Sequence, residues 1–529
     1  MLYFVTRHCA VLSLVLILSG AGCRSATPIG EVERPFDVAE GFKMHRPRTP
    51  APPEDLVHKI AFEDVRDNIP PLREPLDPKY LPILNTGGGH MGSEDIEAKI
   101  DATYTRGLSL SGNIRYMTCR TVAWRRCWQS RGYVYSIFMQ GYGQDSFRHV
   151  PHEAPAEEDP KRYPCLGGWR EPMRKELAKA RRDSAAMKRH GLTVPVILHD
   201  WEVWCRFKTP IDPETHGGLK RKLAEARRCP VCRANLDERV LRSPVEYLRG
   251  IERIRGRVLR EALYEPFLDV LPDSTIVGNY YSVSHVRSDT PLPERIERAG
   301  GWWGSKGDFS MPVTYGAFKV LLRRPETVGW DNFRFFTEEI SRLGRHQAPG
   351  EFQIPWVCRV LPNHAVAEDE GAIKLKIVTR SGKKIPLVAW PRESYREYLR
   401  HAMLRGARTF AIFHPNRNRP GNKVKWLREV GDVQGVFREM QPHLDLVYDG
   451  EFMNLEPMPG KRYSLEDAVV WSGKIGKERA VVRAVSFTGR DATVTVTAFG
   501  RQFMLDAPAA GRTCTISAGG EVTVTAQGR

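Results

Sequence analysis

The residues best equipped for chemistry are Asp200 and Glu202, two carboxylates on either side of Trp201 at the end of the run Val194-Pro-Val-Ile-Leu-His-Asp-Trp-Glu-Val-Trp204. Residues two apart on a strand project to the same side, so both acids can enter one pocket while Trp201 turns away. Two carboxyl groups a few ångströms apart do not both ionise readily, so one is held protonated near neutral pH and can act as an acid. Donation of a proton to a glycosidic oxygen needs that chemistry. The same spacing suits an Asp and a Glu that fix a loop through backbone hydrogen bonds, so the pair alone leaves catalysis and architecture both open.

Other groups could join them. Asp449-Gly450-Glu451 is a second acidic pair, in which the Asp-Gly step reads first as a turn; an ordinary two-carboxylate mechanism would make Glu451 the first choice as nucleophile or base. His199 and His414 end apolar runs and could line a pocket or serve as core histidines. Gly87-Gly88-Gly89-His90 lacks a phosphate-loop lysine and reads as a flexible loop. Trp302 and Trp303 could form a sugar-stacking platform or pack against a helix.

Positioning such a pair requires a scaffold, and the chain supplies alternating apolar runs and helical patterns. Strands are expected at Tyr80–Leu84, Tyr133–Met139, Val194–His199, Thr275–Tyr280, Phe309–Thr314, Pro355–Val360, Thr409–His414 and Leu444–Tyr448. Charged amphipathic segments lie between several of them, at Glu171–His190, Pro244–Leu268, Asn332–Leu343 and Arg392–Leu404. Ser243 can cap the second of these, with Pro244 and Glu246 in its first turn. Eight strands alternating with helices predict an α/β fold, a (β/α)8 barrel of the TIM type over 79–460. Beyond it, short runs joined by Gly, Asp and Arg turns predict a small antiparallel β-sandwich over 461–529, a packing or carbohydrate-contacting accessory.

The first 23 residues read as a signal peptide: Arg7 and His8, an apolar run from Ala10 to Leu18, then small residues before Cys23. Such a leader is too short to span a bilayer. Small residues directly before a cysteine resemble a bacterial lipoprotein site, so Cys23 is expected to carry the lipid anchor, with ordinary cleavage as the alternative. The protein is then exported and held by its N-terminus in the cell envelope. Residues 24–78, with Pro47, Pro50, Pro52 and Pro53, read as a spacer.

Of ten cysteines, eight lie beyond the leader and anchor: Cys119, Cys127, Cys165, Cys205, Cys229, Cys232, Cys358 and Cys514. An oxidising compartment permits disulfides among them. Cys229-Pro-Val-Cys232 could hold half of a zinc site, but no second pair or histidine at ligand spacing follows it, which favours a local disulfide or thiols. No metal and no cofactor are expected. The net charge of +17 is spread along the chain, and such a field attracts acidic polysaccharides, nucleic acids and anionic membranes alike. A solvated arginine-rich surface accounts for it equally, and a nucleic-acid partner is not expected. Nothing in the sequence points to an oligomeric state.

Asp200-Trp201-Glu202-Val203-Trp204 followed by Arg206 resembles the D-W-E-x-W-R signature of the hyaluronidase family of glycoside hydrolases, with Cys205 inserted before the arginine. Downstream, Leu271-Pro272 and Val277-Gly278-Asn279-Tyr280 are similar to the family's L-R-P turn and G-F-Y strand. Trp302 and Trp303, then Phe309-Ser-Met-Pro-Val-Thr-Tyr315, follow in the family's order, as do Ile354-Pro-Trp-Val357 and Gly406-Ala-Arg-Thr-Phe-Ala-Ile-Phe413. The likeness runs over about residues 185–420. It implies a retaining, substrate-assisted hydrolase of an N-acetylhexosamine-containing, hyaluronan-like polysaccharide. Glu202 would be the general acid, and Asp200 would orient the substrate's acetamido group, which attacks the anomeric carbon. Tyr280 and Tyr315 would hydrogen-bond the acetamido group or the leaving sugar, and Trp204, Trp302 and Phe413 would line the sugar site. Phe413 replaces a family tryptophan, Met311 replaces an aromatic, and the family's disulfide cysteines have no clear counterparts. Two other readings use the same residues: a two-carboxylate glycosidase on another polysaccharide, and a non-catalytic surface lipoprotein that binds glycan or scaffolds an envelope complex.

Overall fold

A short apolar run buried on both faces is the mark of a parallel strand, and eight such strands close a ring in the computed structural model. The structure describes residues 43–44, 62–85, 95–113, 119–140, 165–200, 217–281, 307–315, 325–345, 347, 349–359, 373–378, 384–387, 390–413 and 422–525. The ring strands are β1 (Ile83–Asn85), β2 (Leu108–Asn113), β3 (Ser136–Gln140), β4 (Val196–Asp200), β5 (Ile276–Tyr281), β6 (Phe309–Tyr315), β7 (Trp356–Cys358) and β8 (Ala411–Ile412). Each pairs in parallel with its successor. The ring closes where Ala411 and Ile412 pair with Leu84 and Asn85. This is a (β/α)8 barrel, as the alternation of runs predicted.

Seven of the eight expected strands overlap ring strands, and the last does not. Leu444–Asp449 is a helix, continuing the 3-10 turn Gln441–His443. Leu444 and Val447, three apart, are buried on one side, which is helical spacing. The true remaining strand is β2, whose Leu-Ser-Leu-Ser-Gly-Asn composition is too polar to read as a buried run; Ser109 nevertheless has no exposed surface.

Alternation sorts each strand into two sets. Leu84, Val196, Leu198, Phe309, Met311, Trp356 and Ala411 pack together inside the barrel. Their neighbours Ile137, Ile197 and Val277 pack outward beneath helices, as do Ile83, Leu108, Val357 and Ile412 on the other side. The interior is filled by large side chains only because one position is empty: a Cβ on Gly278 would lie 2.3 Å from the Phe309 ring and 2.5 Å from its carbonyl oxygen.

Helices cover the outside, including α1 (Arg170–Arg189), α2 (Pro244–Val258), α3 (Val328–Arg345), α4 (Arg392–Leu404) and α5 (Asn422–Met440). The expected cap on α2 forms: Glu246 N donates to Ser243 Oγ at 3.2 Å. Beyond α2 the helix widens into a π-turn over Leu259–Tyr264. Within the segment expected to be a spacer, Val65, Ile69, Leu72 and Leu76 are buried in the core beneath α4 and α5. A separate antiparallel sheet joins Lys43–Met44, Ile373–Val378 and Lys384–Leu387.

The C-terminal part is a β-sandwich. β9 (Glu451–Phe452), β10 (Val469–Ile475), β11 (Arg479–Ser486), β14 (Arg512–Ser517) and β15 (Val522–Val524) form one antiparallel sheet, and β12 (Ala492–Ala498) pairs with β13 (Arg501–Ala507). Ala480, Val482, Val496, Leu505 and Ile516 fill the space between them. The other face of the sheet docks on α4 through buried polar groups. Arg483 Nε and Nη2 donate to the two oxygens of Glu397, each at 2.7 Å. Arg405 Nη2 donates to Trp471 O at 2.9 Å, and its Nη1 to Ser341 Oγ at 2.6 Å. Part of the large arginine content therefore does structural work inside the molecule. Among the described residues no helix is long and apolar enough to cross a membrane.

Candidate active site

Catalytic groups of a (β/α)8 barrel sit where its strands end at the carboxyl side. Asp200 is the last residue of β4, and its register partner is Gln140, the last of β3. Position 200 belongs to the same alternating set as Val196 and Leu198, the interior set. Tyr280 stands near the end of β5 in the set of Ile276 and Gly278, opposite Met311 of β6. Tyr315 ends β6 in the set of Phe309, Met311 and Val313, opposite Cys358. Phe413 directly follows β8, in the set of Ala411. Four residues singled out in the sequence thus occupy interior-set positions at the carboxyl side of the ring, three of them on the adjacent strands β4, β5 and β6.

The floor beneath them is aromatic. Trp356 belongs to the interior cluster, with its ring 5.3 Å from that of Phe413 and 5.3 Å from that of Phe138. Phe413 is half-buried and held in place by its N–H, which donates to Val357 O at 3.1 Å. These rings supply apolar surface of the kind that lines ligand pockets.

Glu202, Trp204, Trp302 and Cys23 lie outside the described residues, as do Trp303, His414 and Gly87–His90. His199 is brought elsewhere than the pocket. It belongs to the outward set of β4, is wholly buried, and lies between the rings of Tyr264 at 5.3 Å and Phe267 at 5.9 Å. Burial lowers its pKa to about 3, so it is a neutral core histidine at physiological pH. Glu451 is also excluded from the rim. It is exposed on β9, just past Tyr448, whose hydroxyl accepts from Leu81 N at 2.6 Å; Leu81 precedes β1, at the amino side of the ring. Glu451 therefore lies toward the amino side of the ring, away from the strand ends that carry Asp200, Tyr280 and Tyr315.

Asn113 and Gln140 are two strand-end positions that the sequence does not mark. Both end neighbouring strands at the carboxyl side, Asn113 opposite Phe138 and Gln140 opposite Asp200. Asn113 was hidden because β2 itself was, and Gln140 lies one residue beyond the apolar run that marked β3. The expectation of no metal-ligand cluster also meets a new fact: Cys165 joins Cys229 and Cys232, bringing three sulfurs together.

No family model matches the chain, and no curated protein matches it. Solved structures that resemble it include a cyclic α-maltosyl-(1→6)-maltose hydrolase from Arthrobacter globiformis, at 10% identity and a TM-score of 0.41 over 88% of this chain and 100% of that one. A debranching enzyme from Nostoc punctiforme matches at 9% identity and a TM-score of 0.39, over 88% of this chain and 99% of that one. A GH30 endoxylanase from Clostridium papyrosolvens C71 matches at 9% identity and a TM-score of 0.31, over 85% and 97%. None of these three is named a hyaluronidase, and likeness at this level carries no argument about chemistry. The barrel stands on its own strand register.

Proposed function

We propose that the protein is a glycoside hydrolase acting on an N-acetylhexosamine-containing glycan with retention of configuration. The observation that carries this reading is the convergence of Asp200, Tyr280, Tyr315 and Phe413 on interior-set positions at the carboxyl side of one barrel, above an aromatic floor. Glu202, two residues past the end of β4, donates a proton to the glycosidic oxygen. Asp200 orients the acetamido group, whose oxygen attacks the anomeric carbon. Water then opens that intermediate from the face the leaving sugar vacated, with Glu202 taking up its proton. Tyr280 and Tyr315 hold the acetamido group or the departing sugar, and Phe413, with Trp204 and Trp302, lines the sugar site. The protein works outside the cytoplasm, tethered through Cys23 to the bacterial envelope, where its polysaccharide substrate is encountered.

The test is Glu202→Gln assayed on acidic and neutral N-acetylated glycans. Loss of a general acid should lower kcat by about 10²–10⁴-fold while glycan binding persists. A matched substrate without its acetamido group should not be cleaved by the unaltered protein. Binding without turnover by the unaltered protein would instead establish a non-catalytic glycan-binding lipoprotein.

A further inference from the structure

Cys165 meets the sequence-adjacent pair Cys229 and Cys232 in the connections that follow β3 and β4. Cys165 introduces the 3-10 turn Leu166–Gly168 that leads into α1. Cys229 precedes the short helix Pro230–Asn235, and Cys232 lies within it. All three Sγ atoms lie within 4.8 Å of one another, with Cys165 and Cys229 Sγ 3.6 Å apart. A disulfide needs about 2.05 Å between sulfurs, whereas a tetrahedral zinc ion with bonds of about 2.3 Å sets its sulfurs about 3.8 Å apart. The 3.6 Å between Cys165 and Cys229 Sγ is far too long for a disulfide and close to the second figure.

The surroundings are built for close approach. Gly167 N donates to Cys232 Sγ at 3.4 Å, the kind of backbone contact that supports a thiolate ligand. A Cβ on Gly167 would come within 2.6 Å of Cys232 Cα and of Val231 O, so the two segments meet backbone to backbone. Leu166, Leu219, Leu223, Ala226, Leu248 and Ile251 form the apolar wall behind Cys232, which has no exposed surface. Cys165 and Cys229 are half-buried, which leaves a side open for a fourth donor. Three sulfurs cannot all be used by disulfides among themselves, since one would remain over, but a metal ion uses all three.

We propose that Cys165, Cys229 and Cys232 form a structural site for a thiophilic divalent cation, zinc by preference, with the fourth position filled by water or by a donor from elsewhere in the chain. The thiolates select a soft or borderline ion over magnesium or calcium. The site clamps the connection that follows β3 to the one that follows β4, the strand that ends in Asp200. It therefore braces two loops on the side where the proposed chemistry occurs, without taking part in it, and its existence does not depend on the glycosidase reading.

The full chain, purified under reducing conditions, should carry one equivalent of zinc by elemental mass spectrometry. Exchange for Co(II) should give thiolate-to-metal charge-transfer absorption in the near ultraviolet together with the visible bands of a tetrahedral ion. Cys165→Ser, Cys229→Ser and Cys232→Ser should each lose the ion, and Cys514→Ser in the sandwich should keep it. If the serine variants fail to fold, the Co(II) spectrum of the unaltered chain decides alone. A reduced chain that takes up neither ion, or peptide mapping that finds a disulfide within the trio and no metal in protein recovered from the envelope, would overturn the assignment.

Discussion

Glu397→Gln offers a sharp test of how the barrel holds its sandwich. Glu397 on α4 is 4% exposed, and Arg483 on β11 is 1% exposed. The carboxylate takes two hydrogen bonds of 2.7 Å from Arg483 and one of 3.1 Å from Arg400 Nη1, and lies 3.3 Å from His401 Nε2. Although burial pushes its pKa upward, the adjacent Arg483 and His401 more than offset this and hold it well below the ordinary carboxylate range. Glutamine keeps the shape but replaces one acceptor with an N–H donor aimed at guanidinium groups, and it leaves the Arg483 cation buried without its counter-charge. Breaking such a pair costs about 3–5 kcal/mol, against about 0–1 kcal/mol for an exposed pair. Equilibrium urea unfolding of the single variants Glu397→Gln and Arg483→Met, and of the double variant, should show the double losing much less than the sum of the singles. The sign with pH is fixed: a carboxylate with a depressed folded pKa contributes its full stabilisation above its unfolded value, so the coupling measured at pH 7 should persist at pH 5 and fade only in stronger acid. A loss under about 1 kcal/mol for the single variant, with additive behaviour in the double, would refute this account.

Acid should weaken the fold at milder pH through buried histidines. Burial lowers His199 to about 3 and both His401 and His443 to about 4. The unfolded chain therefore binds more protons below pH ~6.5, and stability falls between there and pH ~4, by up to ~1.4 kcal/mol per pKa unit for each group. Glu429, raised by burial to about 7, works in the opposite direction and cancels part of this loss; urea midpoints that stay flat from pH 7 to 5 would count against the scheme. Gly278→Ala should cost at least about 1–3 kcal/mol, because its Cβ collides with Phe309 at 2.3 Å inside a filled barrel; an unchanged melting curve would show that the interior is not packed as described. Glu451→Gln should leave glycan turnover unaltered, since Glu451 lies beyond the amino side of the ring; a loss comparable to that of Glu202→Gln would restore the two-carboxylate mechanism.

What the sequence by itself determined are the features written within one turn or one strand. Runs such as Val194–His199 and Phe309–Thr314 announce buried parallel strands because both faces must be apolar, and Ser243-Pro244 with Glu246 announces a helix start because the unpaired amides there need an acceptor. Asp200 at a strand end was visible for the same reason. Tertiary closure alone decided the rest. Leu108–Asn113 became a ring strand because a gap between β1 and β3 had to be bridged, and its buried Ser109 fits a narrow interior. Leu444–Asp449, with too few residues to reveal its period, took the helical form in which Leu444 and Val447 share a buried side. Only the ring set His199 among helices and carried Glu451 past its amino side. Only chain folding brought Cys165 to Cys229 and Cys232, since contact between residues more than sixty positions apart follows from long-range packing and leaves no trace in local spacing.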